Sequence, residues 1–243
     1  MKRLILLIQF LTRIPINLKL DVTREDLKKS IIYFPVVGYL IGLILTYFYK
    51  ISILYFDKTI IAFLIVTFEI LITGGLHMDG LSDTFDGIYS GRKKDEIIEI
   101  MKDSNIGTFG ALSMIILVIF KFLLILKINE NLFVVLLMMP VFSRMCTIIA
   151  SKIGKYPKET GMGDIFIGQV NNKQLAISML FTFSFAIFNY KIYTFFIVNV
   201  IFTLWYVKYI SKRIDGITGD TLGALVELNE IIFLLAIYIM EVL

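Results

Sequence analysis

Three aspartates in an otherwise apolar chain carry the clearest chemical signal. In the run Thr73-Gly-Gly-Leu-His-Met-Asp-Gly-Leu-Ser-Asp-Thr-Phe-Asp-Gly87, Asp79, Asp83 and Asp86 are spaced i, i+4, i+7, which puts all three on one face of a helix. Like charges so placed repel one another, more strongly at a partly desolvated membrane boundary. A divalent cation removes the conflict, and hard oxygen donors at this density suit Mg²⁺ or Mn²⁺. The chain's one histidine, His77, lies two residues before Asp79. Gly74, Gly75, Gly80 and Gly87 let backbone or ligand come close. The plainer reading is a solvated helix start, where the dipole favours Asp. One histidine, four glycines and three aspartates within fifteen residues favour a metal and phosphate site instead.

A second group of ionisable residues sits inside apolar runs. Glu69, Glu227 and Glu230 are acids at positions where ionisable groups are costly and usually mark a pathway or a site. At 1.5 Å per residue, Glu69 falls roughly 15 Å below Asp79 along an unbroken helix, and Glu227 about 10 Å from Asp220. With Arg144, which can grip a phosphate with two N–H groups, they could line one polar cavity. The competing reading pairs these acids with Arg144 or Lys121 as packing glue, and Lys121 reads as a side chain snorkelling to the interface. Asp215-Gly-Ile-Thr-Gly-Asp-Thr-Leu-Gly223 is a glycine-rich turn feeding a helix start, which suits phosphate oxygens, although Asp220 or Thr221 could simply cap the helix. Tyr156-Pro-Lys-Glu-Thr-Gly-Met-Gly-Asp164 is a lid, a substrate contact or a plain connecting loop.

The elements that must position these groups are membrane helices. The 243 residues are 58% hydrophobic and 18% charged, against about half and a quarter in ordinary soluble domains, which excludes a soluble enzyme and a disordered chain. A net charge of +4 does not argue for nucleic acid in such a chain, because the distribution of Lys and Arg matters more than their sum. One cysteine, Cys146, excludes a disulfide framework. The composition predicts an all-α, polytopic helix bundle in one domain, 1–243. Residues 3–14 form a short interfacial amphipathic helix, and seven spans lie at about 31–49, 59–76, 106–126, 131–150, 174–190, 192–210 and 222–242. Pro35 and Pro140 fall inside spans and could kink them. Of 24 Lys and Arg, 18 belong to the four long linkers and 4 to the short links. That asymmetry places the N-terminus and long linkers in the cytoplasm and the C-terminus outside a cell membrane.

In their order along the chain, five stretches resemble the cobalamin synthase (adenosylcobinamide-GDP ribazoletransferase) family. They are Phe10-Leu-Thr-Arg-Ile-Pro15, Tyr33-Phe-Pro-Val-Val-Gly-Tyr-Leu-Ile-Gly42, Gly74 through Gly87, Ile100-Met-Lys-Asp-Ser-Asn-Ile-Gly-Thr-Phe-Gly110 and Gly219-Asp-Thr-Leu-Gly-Ala-Leu-Val-Glu227. One departure is the 155–163 linker, where Lys158 replaces an arginine expected before Gly-x-Gly. The resemblance implies an Mg²⁺-dependent membrane enzyme. It joins adenosylcobinamide-GDP to α-ribazole or its 5′-phosphate, releasing GMP. On that reading Asp79, Asp83 and Asp86 hold the metal, and Asp86 or His77 takes the ribazole hydroxyl proton. Lys102, Asp103, Asp220, Arg144, Glu69 and Glu227 complete the substrate pocket. The partners are the two substrates and the lipid bilayer, with room for a homo-oligomer or contact with other cobalamin-assembly enzymes. A CDP-alcohol phosphotransferase is the enzyme alternative, but Leu81-Ser-Asp-Thr84 lacks the arginine it needs. A divalent-cation transporter is the other, but the outer halves of the spans are nearly free of acids.

Overall fold

The computed structural model describes residues 1–129, 131–157, 165–184 and 192–243. Its described residues form helices α1 (Lys2–Leu11), α2 (Arg24–Ser30), α3 (Phe34–Ser52), α4 (Lys58–Thr73), α5 (Leu76–Tyr89), α6 (Lys94–Ile100), α7 (Thr108–Lys127), α8 (Leu132–Ile153), α9 (Asn172–Ser184), α10 (Ile192–Ile214) and α11 (Gly219–Val242), with a 3-10 turn at Ile31–Tyr33. Among them there is no strand. The protein is a multi-pass membrane helix bundle.

Five helical runs are each long and apolar enough to cross a bilayer: Arg24–Ser52 (α2, the turn and α3), α7, α8, α10 and α11. A sixth is present only if the pair α4 and α5, bent by 91° at its break, is counted as one span, against the seven expected. The expected span at 174–190 begins as α9, and its second half lies outside the described residues. Large apolar side chains left exposed along α7, such as Ile115, Ile116 and Ile119, form a surface for lipid tails.

α8 is the central helix, buried without a break from Met138 to Ser151. α3 packs on it through Gly38 and Gly42, where an added Cβ would collide with the backbone of Pro140 and Leu137. This is the small-xxx-small device that lets membrane helices approach closely. α10 and α11 are joined by a buried amide pair: Asn199 Nδ2 donates to Asn229 Oδ1 at 2.9 Å, and Asn229 Nδ2 donates to Thr203 Oγ1 at 3.2 Å. Pro35 does not kink a span. It lies in the first turn of α3, where its missing N–H has no helical partner to lose.

Local sequence sets the two features that build the site. Asp57 caps α4 by accepting from the Thr59 and Ile60 N–H groups. That helix ends at Gly74 (φ 64°) and Gly75 (φ 69°), two successive left-handed residues that glycine adopts at little cost. The chain therefore turns out of the span there, and the helix from Glu69 to Asp79 is broken rather than continuous. α5 then runs across the starts of two spans. Its first half meets α11, with Gly80 so close to Asp220 that a Cβ would sit 2.7 Å from the backbone oxygen. Its far end meets α7, where Asp86 bonds Gly107 and Gly110.

Candidate active site

The three aspartates of α5 do not act alike. Asp86 is an anchor. Its two oxygens accept from the Gly107 and Gly110 N–H groups at 2.7 and 2.8 Å, so it satisfies donors left open at the start of α7, with a lone pair left on each oxygen. Asp79 is exposed and Asp83 half-buried. A fourth carboxylate, Asp220, joins them from the first turn of α11. The capping box there is made by Thr218 and Thr221, which leaves the Asp220 carboxylate free of the capping role. Burial, then the charges of Asp79, Asp220 and Asp86, push the Asp83 carboxyl up to about 7. Desolvation leads that shift, and the neighbouring carboxylates add to it.

Beside them opens a cavity of about 380 Å³, a size typical of small-ligand sites. Asp79, Asp220, His77, Lys102 and Thr218 line it, together with an apolar wall that includes Phe34, Met101 and Phe166. His77 is buried, and burial and then the Arg144 guanidinium push its pKa down to about 3. The imidazole is therefore neutral and a weak proton acceptor at ordinary pH.

The intramembrane ions lie elsewhere. Lys121 Nζ contacts Glu69 at 3.0 Å, Glu227 at 2.9 Å and Glu230. Arg144 Nη1 reaches Glu230 at 2.6 Å. All five side chains are buried, and none of them lines the cavity. Glu69, Glu227 and Arg144, expected to hold substrate, thus join Glu230 in an internal network. Lys121 does not snorkel: it is 3% exposed, because three carboxylates in the bundle interior offer it more than the distant interface. Asp103 is also outside the cavity, its carboxylate accepting from Asn105. Lys158 and the Gly161–Asp164 part of the expected lid lie outside the described residues.

Sequence reasoning missed several lining residues. Thr147 and Ser151, polar residues at i and i+4 on a buried helix, line the cavity from α8; their spacing was the available signal. Phe10 and Leu11 reach it from α1, and no sequence pattern announces that contact. α1 is held there from both ends. Arg3 and Lys2 pair with Asp26 at 3.1 and 3.2 Å, and the Arg13 N–H donates to the Ile72 carbonyl.

The donor set fits Mg²⁺ in a particular way. Among the described residues no three His, Cys, Asp or Glu side chains form a ready cage. Mg²⁺, however, is usually bound by one or two carboxylates plus substrate phosphates and waters, and Asp79 and Asp220 meet at the cavity from two elements.

Comparison with known proteins agrees with the motifs. The family model described as cobalamin-5-phosphate synthase matches residues 3–238. An adenosylcobinamide-GDP ribazoletransferase of Alkaliphilus metalliredigens is 44% identical over 239 residues, covering 98% of this chain and 95% of that protein. One from Clostridioides difficile is 39% identical, covering 99% and 98%, and one from Thermoanaerobacter is 38% identical, covering 95% and 94%. No solved structure matches. With a family match over residues 3–238 and relatives 38–44% identical at near-complete coverage, the chain belongs to the cobalamin-5-phosphate synthase family.

Proposed function

We propose that the protein joins adenosylcobinamide-GDP to α-ribazole or its 5′-phosphate, closing the cobalamin nucleotide loop and releasing GMP. The observation that carries this reading is the meeting of Asp79 and Asp220 at the mouth of a largely apolar cavity. A ribose hydroxyl attacks the pyrophosphate phosphorus that carries the cobinamide, a new phosphodiester forms, and GMP leaves with the bridging oxygen. Such transfer depends on positioning and charge neutralisation more than on covalent help from the protein. Asp79 and Asp220 would hold Mg²⁺, which supplies neutralising charge to the pyrophosphate and the leaving GMP. Lys102, at the cavity wall, adds a positive charge for phosphate oxygens.

We assign the hydroxyl proton to Asp83, which is close enough to Asp79 and Asp220 to feel both charges and lies outside the cavity's own lining. A base works best with a pKa near the working pH, and Asp83 stands at about 7. Asp86, occupied by two N–H donors, fixes α5 against α7. The enzyme sits in the cell membrane with the α5 end of the bundle in the cytoplasm. The test is direct: purified protein is incubated with adenosylcobinamide-GDP, α-ribazole and Mg²⁺. GMP and a corrinoid carrying the ribazole should appear in equal amounts, only when all three are present. Metal uptake into proteoliposomes without any nucleotide would overturn the assignment in favour of transport.

A further inference from the structure

The cavity's wall is largely apolar, yet it includes two polar residues with unused atoms. Ser151 is wholly buried and His77 is 6% exposed. Ser151 Oγ and His77 Nδ1 have no hydrogen-bond partner among the described residues. The contrast with the preceding turn of α8 is informative. Thr147 Oγ1 donates back to the Ser143 carbonyl at 3.1 Å, the usual way a helical hydroxyl is satisfied in an apolar setting. Ser151, one turn on, makes no such bond, and its hydroxyl stays available. Buried polar groups are normally paired, so two unpaired ones on one cavity wall point to a ligand that pairs them.

The surrounding wall says what kind of ligand. Phe10, Phe34, Phe166, Leu11 and Val226 offer flat and aliphatic surface, beside polar residues that include Asp79, Lys102 and Asp220. Against the aromatic part of that wall guanine, with donors and acceptors along several edges, would lose more hydration than a base with one free ring nitrogen. A fused-ring base with one ring nitrogen bound to ribose has a single acceptor nitrogen left, and apolar faces otherwise. About 380 Å³ is room enough for a nucleoside.

We infer that this cavity is the binding site for the acceptor nucleoside, its aromatic base against the Phe10, Phe34 and Phe166 wall, Ser151 donating to its free ring nitrogen and His77 Nδ1 meeting a polar group of the same ligand. The inference rests on the proposed reaction. The guanosine part of the other substrate then lies outside this cavity, beyond the carboxylates.

Equilibrium dialysis of the full-length protein, with α-ribazole alone and with GDP alone, tests the assignment together with the two KM values. Ser151→Ala should weaken α-ribazole binding and raise its KM about three- to tenfold, the loss of one neutral hydrogen bond. GDP binding and the KM for adenosylcobinamide-GDP should not move. Val226→Phe, which fills the cavity without touching a polar group, should abolish α-ribazole binding and spare GDP. Weakened GDP binding with α-ribazole unaffected would assign the cavity to the nucleotide donor, and no change in either would make Ser151 structural; both overturn the inference. Wild-type protein that binds α-ribazole but never yields GMP would instead sink the proposed reaction and leave the cavity's ligand standing.

Discussion

At the scale of single residues, the same side-chain types serve opposite ends, and their neighbours decide which. Glu69, Glu227 and Glu230 face only Lys121 and Arg144 within the buried network, three acids against two bases. Lys121→Met strands Glu69 and Glu227, leaves Glu230 only Arg144 and Ser143, and should cost about 3–5 kcal/mol, as breaking a buried pair does. Glu69→Gln removes the surplus charge and should cost far less. Thermal unfolding in detergent would rank the two, and equal losses would mean that Lys121 is not the centre of the network. At the α5 site burial first, and the charges of Asp79, Asp220 and Asp86 after it, push Asp83 up to about 7. A base must be deprotonated to act, so turnover should fall as pH drops through about 7. Asp83→Asn should lower kcat by about 10²–10⁴ and remove that acid limb, while the Mg²⁺ requirement persists. An unchanged pH profile in the variant would exclude Asp83 as the base. The α5 acids were legible in the sequence because i, i+4, i+7 spacing survives any packing. Their division of labour was not, since it depends on the Gly107 and Gly110 N–H groups more than twenty residues away. The buried Glu residues carried two readings in the sequence, a substrate site or pairing with Lys121 or Arg144, and only the packing brings those bases to them.

At the scale of elements, the site exists because one helix turns a corner. Gly74 and Gly75 are both left-handed, and α5 departs at 91° from α4 to lie across the starts of α7 and α11. The glycine pair was visible in the sequence, yet an unbroken helix was the expectation for Glu69 and Asp79, because apolar periodicity runs through the corner and gives no sign of direction. Gly74→Ala places a methyl in a left-handed residue, costing roughly 1–2 kcal/mol, and drives it into the Arg13 side chain. The expected outcome is a protein that still inserts and keeps its helical circular dichroism but loses most activity, since α5 and α1 are displaced together. Gly42→Leu strikes a different junction. It wedges α3 from α8, the central helix, so folding should fail before catalysis does, seen as loss of a monodisperse peak in size-exclusion chromatography. If Gly74→Ala were fully active, the corner would not be what aims the aspartates.

At the scale of the whole molecule, the two ends of the bundle differ in kind. At one end Lys58 Nζ donates to Asn129 Oδ1 at 2.7 Å and the Asn129 N–H to Glu241 at 2.9 Å, tying the start of α4 and the α7–α8 link to the last turn of α11. At the opposite end lie the carboxylates, the cavity, the Lys94–Asp215 ion pair and the Ile217 N–H bond to the Lys155 carbonyl. By sequence, 18 of the 24 Lys and Arg belong to the long linkers and 4 to the short links, and that bias sets orientation during insertion. The long linkers crowded with positive charge are the ones that build the site, so catalysis and topology share one cause: charge that cannot cross also attracts phosphate. The site end should therefore face the cytoplasm, where nucleotide substrates are made. Cysteine labelling in intact cells reads this out with little background, because the native Cys146 is buried. Cysteines replacing Tyr55 and Leu243, both exposed, should react with a membrane-impermeant maleimide before lysis. Cysteines replacing Arg92 and Lys212, exposed at the other end, should react only after it. The reverse pattern would place the carboxylates outside the cell. Reaction of Tyr55→Cys and Leu243→Cys on opposite sides would break the odd number of crossings on which the alternation of long and short links depends.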